Sequence, residues 1–189
     1  IHLVMEAIDR FANDSTPIIV DPAMADDGKL YAVYTPDMVT EMRRLISRAD
    51  VIKPNYTEAL FLLDRPYSTD ILTEAEIKDL CRDLSKMGPR HVILSSIPHQ
   101  TEAYVAVYDG ETDELQKAST PLIPVKAHGS GDIFTAVLTG MWLRGLSPRE
   151  CAQKAATFTT QALQYTVDHA DSLRDGLLFE ALMKELVNL

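Results

Sequence analysis

The sequence predicts an α/β fold in which a mainly parallel sheet is flanked by helices. Short apolar runs alternate along the chain with longer segments of helical periodicity, as they do in layered α/β proteins. The runs are continuously apolar, which is typical of strands that are buried on both faces of a parallel sheet. With 189 residues, 46% of them hydrophobic, the chain can bury a substantial core. We therefore expect one domain, residues 1–189.

The predicted elements follow one another in chain order. Strands are expected at residues 18–20, 51–53, 91–96, 103–108 and 114–118. Helices are expected at residues 1–8, 36–50, 55–63, 73–87 and 133–143, from 148 onward, and at 175–189. Thr35 and Ser147 each precede a proline, which is a common way to start a helix. Thr73 and Glu76 have the spacing of a capping box.

The last two strands are expected to form a hairpin. Asp109 and Gly110 lie between them, and this pair favours a tight turn. We expect an antiparallel hairpin at an edge of the sheet.

Charge and composition exclude several classes of protein. A net charge of −10, from 18 Lys and Arg against 28 Asp and Glu, argues against nonspecific nucleic-acid binding. Cys81 and Cys151 are too few for a disulfide framework or a zinc site, and they suit a reducing cytoplasm. No apolar run approaches the roughly 20 residues of a membrane span. We expect a cytoplasmic protein that binds neither nucleic acid nor membranes.

Polar residues follow the predicted strands at their carboxyl ends. They are Asp21, Lys53, Asn55, Ser95 and Ser96. Ligands of parallel α/β proteins bind beyond this edge of the sheet, so a shared site is one interpretation. Each residue taken alone is more typical of an ordinary cap or turn, and only their shared position favours a site.

A glycine-rich turn opens the apolar helix at 133–143. It consists of Gly129, Ser130 and Gly131, followed by Asp132. Glycines allow a tight turn whose backbone N–H groups point outward at a helix start, where anions bind. The alternative is a structural turn with an acidic residue that the helix dipole favours.

Three motifs together resemble the ribokinase-like kinases. The Gly129 to Asp132 turn is similar to their Gly-Thr/Ala-Gly-Asp signature, and Asn55 with Glu58 is similar to their Asn-x-x-Glu motif. Asp21, Pro22, Ala23 and Met24, followed by Asp26, resemble the Asp-Pro-Val-Met/Leu segment of the pyridoxal kinases. The resemblance covers about residues 1–162. It implies a three-layer ribokinase-like fold.

The resemblance also implies a role for each motif. Asp132 would be the catalytic base for a primary alcohol, and Gly129, Ser130 and Gly131 would donate N–H groups to the phosphoryl group. Positions close to ATP would be Asp21, Asp26, Lys53, Asn55 and Ser95. Asn55 and Glu58 would hold Mg²⁺ through water. The plainer alternatives are an exposed helical glutamate for Glu58 and a turn for Asp26.

The implied function is ATP-dependent phosphorylation of pyridoxal, pyridoxine or pyridoxamine. Hydroxymethylpyrimidine phosphate kinases and sugar kinases of the same superfamily are alternatives. The resembling pyrimidine kinases often have Cys where Asp132 stands, which favours the vitamin B6 substrates. An inert nucleotide-binding domain of this fold is the non-enzyme alternative. An unrelated nucleotide-binding domain is disfavoured, because the sequence has neither a Walker A motif nor Gly-x-Gly-x-x-Gly after a strand.

The sequence departs from the resembling pyridoxal kinases at Lys53. The kinases usually have Thr there, which helps to hold a monovalent cation near ATP, and a second hydroxyl position is Leu94 here. One hypothesis is that the Lys53 ammonium group replaces the cation. The other is that Lys53 extends from a strand end to solvent.

The chain starts at Ile1, in neither an initiator nor a signal-peptide context. We expect a fragment, because the first strands, the lid and most of the substrate pocket of the resembling kinases precede this segment. Such a fragment is expected to be poorly active alone. A homodimer is also expected.

Overall fold

The computed structural model describes residues 1–171 and 176–187, and it contains both helices and strands. The helices are α1 (His2–Phe11), α2 (Pro36–Ile46), α3 (Tyr56–Leu62), α4 (Glu74–Ser85), α5 (Ser130–Leu143), α6 (Pro148–His169) and α7 (Met183–Val187). The strands are β1 (Ile19–Val20), β2 (Ala25–Asp26), β3 (Lys29–Leu30), β4 (Val51–Ile52), β5 (His91–Ile97), β6 (Glu102–Asp109) and β7 (Glu114–Pro121).

The main sheet has the order β1-β4-β5-β6-β7, and β2 and β3 form a separate antiparallel pair. Strands β1, β4 and β5 are parallel to one another. The predicted α/β fold with a mainly parallel, helix-flanked sheet is confirmed. The edge position of β7 is also as predicted.

Side-chain caps fix the starts of three helices. Asn55, Thr73 and Ser147 each accept a hydrogen bond from the backbone N–H three residues on, and the glutamate there returns a bond to the cap. Thr35 occupies the cap position of α2 but makes no side-chain cap bond, so Pro36 carries that helix start.

The predicted helix at 175–189 is wrong in its extent. Residues 176–179 are not helical, and Gly176 has a φ of +93° that a helix does not accommodate. A 3-10 turn at Glu180–Leu182 leads into α7. Residue 175 and residues 188–189 lie outside the described residues. Helix α2 likewise ends at Ile46, four residues before the predicted end at 50.

The chain divides into two compact units. The first comprises Ile1–Pro98 and Ala106–Gln116, and the second comprises His99–Val105 and Lys117–Leu189. One domain over residues 1–189 stays a prediction.

In the first unit the core is built on the parallel strands. Val51, Ile52, Val92, Ile93 and Leu94 are fully buried. Continuous burial of successive residues explains why these strands are apolar without alternation. This packing fixes the carboxyl ends of β1, β4 and β5, where the candidate residues of this unit lie.

In the second unit one small core cluster is formed by Ala127, Ala162 and Leu177, with Ile133 and Leu163 packed against it. Ala127 precedes the glycine turn and Ile133 follows it on α5. The apolar contacts on both sides therefore hold the start of α5 in place.

Within residues 1–171 and 176–187, no helix combines the length and the apolar character that crossing a membrane requires.

Candidate functional site

Asp21 and Lys53 lie side by side at the carboxyl edge of the sheet. Strands β1 and β4 are paired in parallel with Val20 opposite Ile52, so the next residue of each strand reaches the same edge. Lys53 Nζ lies 3.1 Å from Asp21 Oδ2, and the two side chains are 5% and 17% exposed. The interpretation that Lys53 extends into solvent is therefore wrong, whereas the predicted meeting of strand-end side chains is seen.

Asn55 and Ser95 continue the pairing of β4 with β5 beyond Pro54. They form a parallel bridge, and the Ser95 N–H donates to the Pro54 carbonyl at 3.0 Å. The next residue, Ser96, has a φ of +55°, which is uncommon for a residue other than glycine. Strand β5 runs on to Ile97, so Ser95 lies within it and not after its end.

The side chains of Asn55 and Glu58 close the start of α3. Asn55 Oδ1 accepts from the Glu58 N–H at 2.8 Å, and Glu58 Oε2 accepts from the Asn55 N–H at 2.7 Å. The second carboxylate oxygen, Oε1, accepts from the Met24 N–H at 3.1 Å. Glu58 is buried, so the exposed helical glutamate considered from the sequence is not observed.

Asp26 lies in a small hairpin that precedes α2. It ends β2, and the turn to β3 contains Asp27 and Gly28, with φ values of +49° and +75°. These left-handed conformations are typical of an Asp-Gly turn between antiparallel strands. The turn considered for Asp26 is thus present, and its predicted proximity to ATP stays a prediction.

One contact of this region, between Gly28 and Thr57, was not predicted from the sequence. Thr57 Oγ1 accepts from the Gly28 N–H at 3.2 Å, and Thr57 is buried. The signal for the turn was present, because Asp27 and Gly28 are a favoured hairpin pair. No local signal links this turn to Thr57, which lies 29 residues further along the chain.

Burial raises the pKa of Glu58 to about 7. Three favourable contacts oppose the effect, namely the Asn55 N–H, the charge of Lys53 and the Met24 N–H, while the charge of Asp21 adds to it. The Glu58 carboxyl group therefore gains or loses its proton near neutral pH in the folded protein.

The fit of Asn55 and Glu58 to Mg²⁺ is poor. Mg²⁺ or its bound waters must be able to reach the oxygen ligands, and ligand oxygens already committed to backbone N–H groups in a buried site are hard to reach. Both Glu58 oxygens accept backbone N–H groups and the side chain is buried, while the Asn55 oxygen caps α3. Across the part of the chain that the structure describes, no group of three or more His, Cys, Asp or Glu side chains is arranged to hold a metal ion.

In the second unit, the start of α5 has the predicted turn. Gly129 has a φ of +85°, and the Ile133 N–H donates to its carbonyl at 3.0 Å, which closes the first helical turn. The N–H groups of Ser130, Gly131 and Asp132 precede the first regular helical hydrogen bond. Asp132 is exposed in this first turn. An exposed carboxylate beside these N–H groups suits chemistry on a phosphoryl group.

Comparison with known proteins agrees with this architecture. A Bacteroides thetaiotaomicron protein, provisionally named a phosphomethylpyrimidine kinase and solved with pyridoxal, is 35% identical with a TM-score of 0.92, covering 98% of this chain and 66% of that one. The pyridoxal kinase of Staphylococcus aureus, solved with AMP-PCP and pyridoxal, is 26% identical with a TM-score of 0.67, covering 86% and 55%.

Among curated proteins, the hydroxymethylpyrimidine/phosphomethylpyrimidine kinase of Bacillus subtilis is 29% identical, over 79% of this chain and 54% of its own length. The chain spans about half the length of most curated relatives that it matches.

These similarities, the parallel sheet and the glycine turn at α5 define a protein with the fold of the ribokinase-like kinases. More narrowly, residues 1–174 match the sequence profile of the phosphomethylpyrimidine kinases, and the chain belongs to that family.

Proposed function

We propose that the chain is part of an ATP-dependent kinase that phosphorylates the primary alcohol of pyridoxal, pyridoxine or pyridoxamine. The observation that carries the proposal is the start of α5, where the left-handed Gly129 leads into N–H groups and the exposed Asp132. Two relatives have been solved with compounds related to this reaction, pyridoxal in one case and pyridoxal with AMP-PCP, an analogue of ATP, in the other.

In this reaction Asp132 accepts the proton of the alcohol while the alcohol oxygen attacks the γ-phosphorus of ATP. A bond forms between that oxygen and phosphorus, and the bond to the β-phosphate oxygen breaks to release ADP. The N–H groups of Gly129, Ser130 and Gly131 stabilise the charge on the transferring group. Asp21, Asp26, Lys53, Asn55 and Ser95 are proposed to lie near ATP.

Phosphorylation of hydroxymethylpyrimidine or its phosphate is the second candidate function. The family and the relative from Bacillus subtilis favour it. Asp132 favours vitamin B6, because the resembling pyrimidine kinases often have Cys at this position. Phosphorylation rates measured on the three B6 compounds and on hydroxymethylpyrimidine separate the two candidates.

The first prediction concerns Asp132. In the full-length protein we expect Asp132→Asn to leave ATP binding nearly unchanged and to lower turnover by about 10²-fold or more, because a positioned proton acceptor contributes on this scale. Calorimetry with ATP and a coupled ADP-release assay measure the two effects. Near wild-type turnover in this variant would remove Asp132 from the mechanism.

We also propose that the Lys53 ammonium group takes the place of an activating monovalent cation. Lys53 is buried and paired with Asp21, and Leu94 is fully buried in β5 with no oxygen in its side chain to offer a cation. A requirement for Mg²⁺, a homodimer and a cytoplasmic location stay predictions.

A further inference from the structure

Three hydrogen bonds join the first turn of α3 to the segment that contains Met24 to Gly28. Each runs between a side chain of the turn and the backbone of the segment. They are Met24 N–H to Glu58 Oε1 at 3.1 Å, Asn55 Nδ2 to the Ala25 carbonyl at 2.8 Å, and Gly28 N–H to Thr57 Oγ1 at 3.2 Å. The bonds are spread along the β2–β3 hairpin, so they fix both its position and its orientation.

Burial increases the free-energy cost of losing any of these three bonds. Thr57 is 4% exposed and Glu58 is 2% exposed, so water cannot readily replace a lost protein partner. Removing the acceptor of a buried donor therefore costs more free energy than breaking an exposed hydrogen bond, because the buried donor is left without a partner. The ring of Tyr67 also covers Gly28, where an added Cβ would lie 2.6 Å from Tyr67 Cδ1.

The capping box of α4 provides an internal comparison. Thr73 and Glu76 exchange the same reciprocal bonds as Asn55 and Glu58. Unlike Glu58, however, Thr73 and Glu76 are both exposed. Helix capping therefore does not require burial of the glutamate. The Glu58 bond to Met24 is additional to capping and joins two segments 34 residues apart.

We infer that Asn55, Thr57 and Glu58 form a hairpin clamp, a set of positioning residues that holds residues 24–28, and that Glu58 is not a ligand of Mg²⁺. The inference rests on the proposed function in one respect, because that function places Asp26 of the held segment near ATP. The clamp acts on ATP through the segment and not by touching the metal.

Amide hydrogen exchange tests the clamp without any assay of activity. We expect Thr57→Val to speed exchange of the Gly28 amide by about tenfold, the scale of one net hydrogen bond, and Glu58→Gln to do the same at Met24. Thr57→Ser should restore the wild-type rate, because it keeps the hydroxyl. Thr40→Val, on the exposed face of α2, is the control for the loss of a hydroxyl.

Glu76→Gln is the matched control for Glu58→Gln. It should disturb only the start of α4 and leave the Met24 amide protected. If Glu58→Gln does not fold, the exchange rate of the Gly28 amide in Thr57→Val still tests the clamp. Unchanged exchange at Gly28 in folded Thr57→Val would overturn the clamp.

Calorimetry of ATP binding during a Mg²⁺ titration tests the role of Glu58 toward the metal. A clamp predicts a raised Kd for ATP in Glu58→Gln, with half-saturating Mg²⁺ within about twofold of the wild type. A metal ligand predicts a rise in half-saturating Mg²⁺ of about tenfold or more, with binding restored by excess Mg²⁺. Wild-type protein that binds no ATP would count against the proposed function, while the exchange result would still decide the clamp.

Discussion

Lys53 has its ammonium group inside the protein, where a charge is unfavourable unless it is paired. The Asp21 carboxylate, 3.1 Å away, supplies the pairing charge. Breaking a buried pair by removing one partner is strongly destabilising, because the other charge stays behind. This ion pair therefore supports both the stability of the sheet edge and the proposed role of Lys53 as a fixed cation.

We expect Lys53→Thr to lower the free energy of unfolding by about 3 kcal/mol, the scale for removing one member of a buried pair. It should also lower kinase activity, and K⁺ should not restore the activity because Leu94 offers no second ligand. Urea denaturation and assays with and without K⁺ measure the two effects.

Asp21→Asn combined with Lys53→Thr is the control for the stability measurement. The double variant should lose less stability than the sum of the single variants, because the two side chains interact directly. Strong activation of the wild-type protein by K⁺ would contradict the proposed role of Lys53.

At the scale of single residues, the sequence placed Asp21 and Lys53 correctly at the ends of their strands but did not reveal their pairing. Asp21 and Lys53 were predicted at one edge because parallel strands end together. Their pairing depends on the register of β1 and β4, which joins residues 32 positions apart in the chain. The contact of Glu58 with Met24 also could not be predicted from the sequence, because local spacing indicates only the cap that Glu58 makes with Asn55.

At the scale of one element, α5 begins with a glycine whose backbone conformation matters more than its size. Gly129 has a φ of +85°, and an added Cβ would meet no atom within 4 Å. Gly140, within the same helix, also has open space around it but has no left-handed backbone. Because neither site would crowd an added Cβ, the same substitution at Gly129 and at Gly140 compares a left-handed backbone with a helical one, without a difference in packing.

We expect Gly129→Ala to destabilise the protein by about 1–2 kcal/mol, because Ala is strained in the left-handed region. Gly140→Ala should stabilise it by about 0.5–1 kcal/mol, because Ala is the better residue inside a helix. Thermal unfolding of the two variants gives the comparison. Equal effects of the two substitutions would mean that the conformation at Gly129 is not constrained.

Most helices and strands were predictable, because their starts depend on neighbouring residues. The cap residues Asn55, Thr73 and Ser147 are examples. The β2–β3 hairpin was not predicted as strands, since Ala25–Asp26 and Lys29–Leu30 each contain a charged residue and lack the continuous apolar run that marks the equally short β1 and β4. The predicted end of β5 at residue 96 falls one residue short, because the apolar run is interrupted by Ser95 and Ser96 before Ile97.

At the scale of the whole molecule, acid stability depends on a buried histidine. Burial lowers the pKa of His91 below its usual value near 6.5, and the nearby Asp109 only partly opposes this. As the pH falls through 6.5, the unfolded chain takes up a proton that the folded chain resists. His91 therefore contributes a decrease in the free energy of unfolding below about pH 6.5.

The prediction is tested by denaturation of the wild type and of His91→Gln between pH 5 and 8. The difference in stability between them should shift in favour of the variant as the pH falls. Glu58 acts in the opposite sense, because its pKa is raised to about 7 and its protonation stabilises the fold as the pH falls. Comparing the two proteins cancels the contribution of Glu58. A difference that does not vary with pH would contradict the assignment.

Each of the two units contains one buried cysteine, Cys81 in α4 and Cys151 in α6. Burial raises their thiol pKa values to about 12 and about 11, so neither forms a reactive thiolate near neutral pH. Each unit therefore contains one cysteine that reacts with a thiol reagent only when that unit unfolds, so labelling reports unfolding of each unit. In the wild-type protein, labelling by a thiol reagent across a urea series, with each labelled cysteine identified by mass spectrometry, should give the same midpoint for Cys81 and Cys151 if residues 1–189 unfold as one cooperative domain. Two separated midpoints would show that each unit melts independently.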